Sequence, residues 1–222
     1  MRALVVEDDG GLREQVAAAL RDAGFAVDAV ADGAEGEFLG AVNPYDVAIL
    51  DLGLPELDGS EVLARWRGGG RAMPVLVLTA RDGWTEKARA FRAGADDFVT
   101  KPFHLEEVVV RARSLVRRAA GHASAVIEVD GLRLDAQMGL FSLDERALRL
   151  TAFEARVLGY MMHHAGRVLS RAELSEHVYE EEADRDFASL EVVIGRLRRK
   201  IGRERIETLR GRGYRLRAPA AG

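Results

Sequence analysis

The first half of the chain alternates short apolar runs with segments of helical period. The apolar runs at 2–6, 25–30, 46–51, 74–79 and 97–99 have strand length. The segments at 10–23, 33–41, 59–67, 84–93 and 104–118 space their apolar residues at three and four, which predicts helices. Strands that are apolar throughout predict a parallel sheet covered on both faces. Turn chemistry agrees: Gly24 stops the first helix, Asp58-Gly59 opens the third and Gly68-Gly69-Gly70 closes it.

The grammar changes near residue 118. Residues 119–125 lack large apolar side chains and periodicity, and read as a flexible linker. Short strand-like pieces follow over 126–150, with turns at Asp130-Gly131 and Asp144-Glu145. Helical segments come next at about 151–164, 170–178 and 187–201, then a hairpin over 205–217 turning at Arg210-Gly211-Arg212-Gly213. This is the element order of an α+β winged helix-turn-helix. The expected organisation is an α/β domain over 1–118, a linker over 119–125 and a winged-helix domain over 126–219.

Each of four strands in the first half delivers a polar group at its carboxyl end: Glu7-Asp8-Asp9, Asp51, Thr79 and Lys101-Pro102. Open parallel sheets bind ligands at that edge. A carboxylate can attack a phosphoryl group to form an aspartyl-phosphate, provided that nearby charge offsets the repulsion between two anions. Asp51 is the candidate nucleophile. Glu7, Asp8 and Asp51 offer the hard oxygen ligands that Mg²⁺ favours. Lys101 would neutralise phosphoryl oxygens, and the Thr79 hydroxyl would donate to one of them. Any one of these residues alone is more often a cap, a packed hydroxyl or a solvated ammonium; it is their ordered recurrence that carries the reading. Asp9 is assigned first to capping the next helix. Pro102 is a candidate cis residue that fixes Lys101.

Composition narrows the classes. The chain has 222 residues, 48% hydrophobic and 31% charged, and no cysteine. Disulfides, thiolate metal sites and cysteine nucleophiles are excluded. No apolar stretch approaches a membrane span and no secretory signal is recognisable, so the expected location is the cytoplasm. The net charge of −4 hides an asymmetry. Residues 1–124 carry 15 Lys+Arg against 20 Asp+Glu, whereas 196–217 carry 10 against 2. Such a basic patch is either a solvated surface or a nucleic-acid contact.

The segment 187–201 favours the second. Leu190, Ile194, Leu197 and Ile201 share one side and should pack; Ala188, Val192, Gly195 and Arg199 lie opposite, flanked by Arg196, with Arg198 and Lys200 toward the edges. A helix entering the major groove needs this division. Arginine reads guanine or clamps phosphate, and Val192 suits a thymine methyl. Arg212, between two glycines, is shaped to enter a minor groove. The assigned DNA contacts are Val192, Arg196, Arg198, Arg199, Lys200 and Arg212, while Tyr214 packs the wing.

With these residues in view, the chain resembles the OmpR/PhoB subfamily of two-component response regulators, and among them the PhoP type. The resemblance rests on Leu50-Asp51-Leu52-Gly53-Leu54-Pro55, Leu78-Thr79-Ala80-Arg81, Gly94-Ala95-Asp96-Asp97-Phe98-Val99-Thr100-Lys101-Pro102-Phe103 and Thr208-Leu209-Arg210-Gly211-Arg212-Gly213-Tyr214. It implies a flavodoxin-like receiver with strand order 2-1-3-4-5, phosphorylated at Asp51 by a histidine kinase. It adds the Gly53 backbone carbonyl to the Mg²⁺ ligands and makes Thr79 and Phe98 a switch pair, with Phe98 in place of the commoner Tyr; Phe98 is also expected to pack. It implies a homodimer in which Lys87 pairs with Glu107, Asp97 with Arg111 and Asp96 with Arg118 across a two-fold axis, and binding to a direct-repeat DNA site. Chemistry is confined to self-directed phosphoryl transfer and hydrolysis. The acidic loop 179–186, with Glu180, Glu181 and Glu182, either contacts RNA polymerase or is simply solvated. The chain departs from the pattern at Phe187-Ala188, where small polar residues are usual, and at Val193, where a polar residue is usual. A phosphate-independent regulator of the same fold stays open. A stand-alone aspartate phosphohydrolase is disfavoured because position 53, where such enzymes place an acid, is Gly.

Overall fold

The computed structural model describes residues 1–80, 84–179 and 189–218, with the side chains at 84–87 and 89 outside that description. The chain divides into two compact units, Arg2–Ala119 and the portion from Ala120 onward.

The first unit alternates strand and helix: β1 (Arg2–Val6), α1 (Gly10–Asp22), β2 (Ala26–Val30), α2 (Gly33–Val42), β3 (Val47–Asp51), α3 (Gly59–Gly68), β4 (Val75–Thr79), α4 (Trp84–Ala93), β5 (Asp97–Thr100) and α5 (Leu105–Ala119). The five strands are parallel in the order β2-β1-β3-β4-β5, as expected. Every residue of β3 and β4 is buried. Each fully buried Val, Leu or Ile there contributes roughly 1.5–3 kcal/mol. The register pairs Val6 with Leu50, Asp51 with Leu78 and Thr79 with Thr100, so the carboxyl ends of four strands finish at one edge. Aspartates start the helices that leave this edge. Asp9 accepts from Leu12 N at 2.8 Å and Asp32 from Glu35 N at 2.8 Å, each cap contributing about 1 kcal/mol.

Helix α2 lies on the sheet through glycines. A Cβ on Gly36 would stand 2.8 Å from Val6, and one on Gly40 would stand 2.4 Å from the Trp66 ring. Trp66 Nε1 in turn donates to the Glu37 carbonyl at 3.0 Å, tying α3 to α2.

The second unit begins with a four-stranded antiparallel sheet: β6 (Val126–Val129), β7 (Leu132–Asp135), β8 (Leu140–Leu143) and β9 (Arg146–Ala147). Then come α6 (Ala152–His163), α7 (Arg171–Val178), α8 (Leu190–Ile201) and the hairpin β10 (Ile206–Leu209) and β11 (Gly213–Leu216). Val157, Leu158, Met161, Leu174, Ile194 and Leu197 form the centre of its core. Thr151 and Glu154 form a reciprocal capping box at the start of α6.

Two details differ from the sequence expectations. A third turn, Asp135 to Gly139, lies between β7 and β8; Asp135 Oδ1 accepts from the amides of Gln137 and Met138 at 3.0 and 2.9 Å. The linker expected over 119–125 is shorter, because Ala119 completes α5 and the Ala125 carbonyl accepts from Ala136 N at 2.8 Å. The last helix is described only from Leu190, so Phe187, Ala188 and the loop with Glu180, Glu181 and Glu182 lie outside the described residues. Val193 joins the core, being only 1% exposed, which explains an apolar side chain there.

Candidate functional site

At the carboxyl edge of the sheet, Glu7 follows β1 with its side chain fully buried, and Asp51 closes β3 at 6% exposure. Asp8 is exposed beside them. One carboxylate oxygen from each of Glu7, Asp8 and Asp51 lies within 4.8 Å of the others. Lys101, just after β5, reaches into this group. Its Nζ is 2.9 and 2.7 Å from the two Glu7 oxygens and 2.8 Å from Asp51 Oδ2. The Lys101-Pro102 peptide is cis. Lys101 N donates to the Thr79 carbonyl at 2.8 Å, and the Thr79 side chain is buried at the end of β4. Gly53 N donates to Asp51 Oδ1 at 3.1 Å. Gly59 is required here, because a Cβ would lie 2.0 Å from the Asp51 carbonyl oxygen.

Burial raises the Glu7 pKa; the Lys101 hydrogen bond opposes that, the neighbouring Asp51 charge adds to it, and the net shift is upward. Burial lowers the Lys101 pKa, but its bonds to Asp51 and Glu7 outweigh this and raise it. Three carboxylates against one ammonium leave a formal charge of −2 when all are ionised. The oxygen donors and that charge fit a hard divalent cation such as Mg²⁺.

Around β5 and α5, four of the expected interface residues, Asp96, Asp97, Glu107 and Arg111, have ion-pair partners within the chain. Arg111 binds Asp97 of its own chain at 2.9 Å and Glu107 at 2.7 Å. Asp96 accepts from Arg67 Nη2 at 3.0 Å and from Val75 N at 2.8 Å. Arg118 Nε approaches the Ser114 carbonyl at 3.4 Å. The side chain of Lys87 lies outside the described residues. The sequence reading placed these charges only across a dimer; the isolated chain already uses Asp96, Asp97, Glu107 and Arg111 internally. Phe98 is half-buried and stands edge-on to Phe91, ring centres 5.6 Å apart.

In the second unit, Val192, Arg196 and Arg199 are exposed on α8, and Gly195 opens onto free space. Arg212 is exposed in the turn between β10 and β11, whereas Tyr214 is buried. Arg198 and Lys200, two of the assigned DNA contacts, hold partners within the chain. Arg198 donates to the Ile206 carbonyl at 2.6 Å and to Thr208 Oγ1 at 2.7 Å, bracing the hairpin. Lys200 donates to Glu154 at 2.6 Å and to the Arg149 carbonyl at 2.8 Å, bracing α6. Arg205, Arg215 and Arg217 are likewise paired, with Asp130 or Glu207. The unpaired cations of 196–217, among the described residues, are Arg196, Arg199, Arg203, Arg210 and Arg212. Two residues missed in the sequence border this face: Arg171, in the first turn of α7, and Glu191, in the first turn of α8, paired at 2.8 Å. Arg171 also lines a groove with Ser170, Thr208, Arg210, Arg212 and Tyr214. Ser170 followed by Glu173 marks a helix start and would have placed Arg171 beside it.

Comparison with known proteins matches residues 3–113 to the response regulator receiver domain and residues 145–216 to the C-terminal domain of transcriptional regulatory proteins. The virulence transcriptional regulatory protein PhoP of Salmonella typhi is 41% identical over 218 residues, which cover 96% of this chain and 97% of that protein. The transcriptional regulatory protein PhoP of Escherichia coli strain K12 is 40% identical, with 96% and 98% covered. The receiver domain of the Francisella response regulator 1452 aligns with a TM-score of 0.52 at 32% identity, over 53% of this chain and 98% of that one.

Proposed function

The chain belongs to the two-component response regulators of OmpR/PhoB type, which join a receiver to a DNA-binding domain and regulate transcription, and on that premise we propose that a phosphoryl group on Asp51 controls DNA binding. The observation that carries this is Lys101 bridging Glu7 and Asp51 at the shared strand edge. Asp51 Oδ attacks phosphorus of a phosphohistidine on a sensor kinase; the P–O bond forms as the P–N bond breaks, and the imidazole leaves. Glu7, Asp8, Asp51 and the Gly53 carbonyl would hold Mg²⁺, which supplies charge neutralisation for the incoming phosphoryl group. Lys101 follows the charge from the Asp51 carboxylate to a phosphoryl oxygen, and Thr79 donates its hydroxyl to another. Hydrolysis of the same bond resets the site, and no substrate is turned over.

Thr79 and Phe98 then act as the switch. Phe98 leaves its edge-on contact with Phe91 and turns inward, remodelling the surface of β5 and α5. Two receivers pair there when Arg111 exchanges its own Asp97 for the partner's, and Lys87–Glu107 and Asp96–Arg118 complete the register. Exposed ion pairs add little affinity singly but select the partner. Dimerisation places two α8 helices on a direct-repeat site, where Val192, Arg196 and Arg199 enter the major groove and Arg212 the minor groove. Linked binding raises occupancy through effective concentration. No helix among the described residues is long and apolar enough to cross a membrane, which suits work in the cytoplasm. The acidic run Glu180, Glu181 and Glu182 would suit a basic surface of RNA polymerase.

The test is light scattering on wild type and Asp51→Asn, each with and without Mg²⁺ and beryllofluoride. A monomer-to-dimer shift in wild type alone is expected. Equal mass in all four samples overturns the switch in favour of phosphate-independent regulation.

A further inference from the structure

Helix α8 carries one carboxylate among four cations, and it sits in the first turn. Glu191 is exposed at the margin of the face that bears Val192, Arg196 and Arg199. A negative charge beside DNA is repelled by every phosphate, so an acid on this face opposes binding unless it meets a donor. The major groove presents such donors on base edges; the exocyclic amino group of cytosine is the one that carboxylates accept from. First-turn residues of a recognition helix are those that reach base edges.

We infer that Glu191 is a base-reading residue that accepts a hydrogen bond from a cytosine amino group, held in place by Arg171. The inference rests on the assignment of the second unit as DNA-binding. Arg171 Nη2 lies 2.8 Å from Glu191 Oε1, with both side chains largely open to solvent. This pair does two things. It offsets the charge of Glu191 during approach to DNA, and it fixes the carboxylate against α7 rather than leaving it to sweep the groove. Arg171 binds one carboxylate oxygen of Glu191, which leaves the other to accept from the base, and it borders a groove with Arg210 and Arg212. A first-turn acid favours the helix dipole as well, but that contribution is the same for every DNA sequence. Base dependence therefore separates the two roles.

The experiment selects bound sites from a double-stranded library with a randomised core. It uses the full chain with Mg²⁺ and beryllofluoride, as wild type, Glu191→Ala and Glu191→Gln. Wild type should enrich a motif with a cytosine at one position of each half-site. Glu191→Ala should lose about tenfold of the discrimination at that position and keep the rest of the motif. Glu191→Gln, which keeps a hydrogen bond to Arg171, should shift the preference there toward adenine, because an amide pairs with its N6 and N7. Both variants returning the wild-type motif, or losing discrimination evenly across it, would overturn the inference. A wild type that enriches no motif overturns the DNA-binding assignment itself, and the role of Glu191 with it.

Discussion

Replacing Lys200 with methionine should destabilise the second unit while leaving DNA contacts in place. Glu154 is buried, with 3% of its side chain exposed, and Lys200 is its charged partner at 2.6 Å. Removing one member of a buried ion pair strands the other, at a cost of roughly 3–5 kcal/mol. Here two features reduce that cost. Lys200 is itself 35% exposed, so water screens part of the attraction, and Glu154 keeps its bond from Thr151 N at 2.8 Å. A loss of about 2 kcal/mol is expected, which for a domain of this size lowers the unfolding midpoint by roughly 10 °C. The assay is thermal unfolding followed by circular dichroism, paired with DNA titration well below the midpoint. Arg199→Ala should behave oppositely, leaving the midpoint within about 1 °C and weakening DNA binding about tenfold. A midpoint shift of less than about 2 °C for Lys200→Met, or a loss of DNA affinity by its folded form as large as that of Arg199→Ala, would refute this role of Lys200.

Acid should destabilise the same unit. Burial pushes the Glu154 carboxyl up, but the bonds from Lys200 and Thr151 outweigh it and hold the group below its ordinary value. A depressed folded pKa contributes stability above the ordinary carboxylate value, near ~4.3, which is lost as pH falls through the lower folded value. Unfolding midpoints between pH 3 and 6 should therefore decline for wild type and less steeply for Glu154→Gln; parallel curves would contradict this. Gly40→Ala drives a methyl to 2.4 Å from Trp66 and should cost the first unit about 1–3 kcal/mol with a shift in tryptophan emission. Unchanged stability would mean that α2 can slide. Arg212→Ala should reduce the salt dependence of DNA binding by about one counterion; an unaltered slope would remove Arg212 from the interface.

The parallel sheet was legible because its signals are local. Apolar runs of strand length, caps at Asp9 and Asp58, and polar residues at strand ends are all read from neighbouring positions. The gathering of Glu7, Asp51 and Lys101 followed from topology alone, since a parallel sheet brings like ends to one edge. What local reading missed were partners far along the chain. Lys200 looks like a phosphate contact until Glu154, on another helix, is seen to occupy it, and Arg198 until the hairpin folds back over it. Asp96 and Asp97 similarly find Arg67 and Arg111 within their own chain. The turn at Asp135 escaped because its strongest signal, Gly139, sits at the far end of the loop.

The glycines of α2 bear on the order in which the receiver assembles. A helix that carries three buried glycines has weak intrinsic helicity, roughly 1 kcal/mol lost at each relative to alanine. Its contacts are with Val6, Leu57 and Trp66, which belong to β1, the loop before α3, and α3 itself. Those surfaces must exist before α2 has anything to lie on. Amide hydrogens of α2 should accordingly exchange with solvent through smaller openings than those of β1 or β3, so this flank can open and close while the strands that carry Glu7 and Asp51 stay protected.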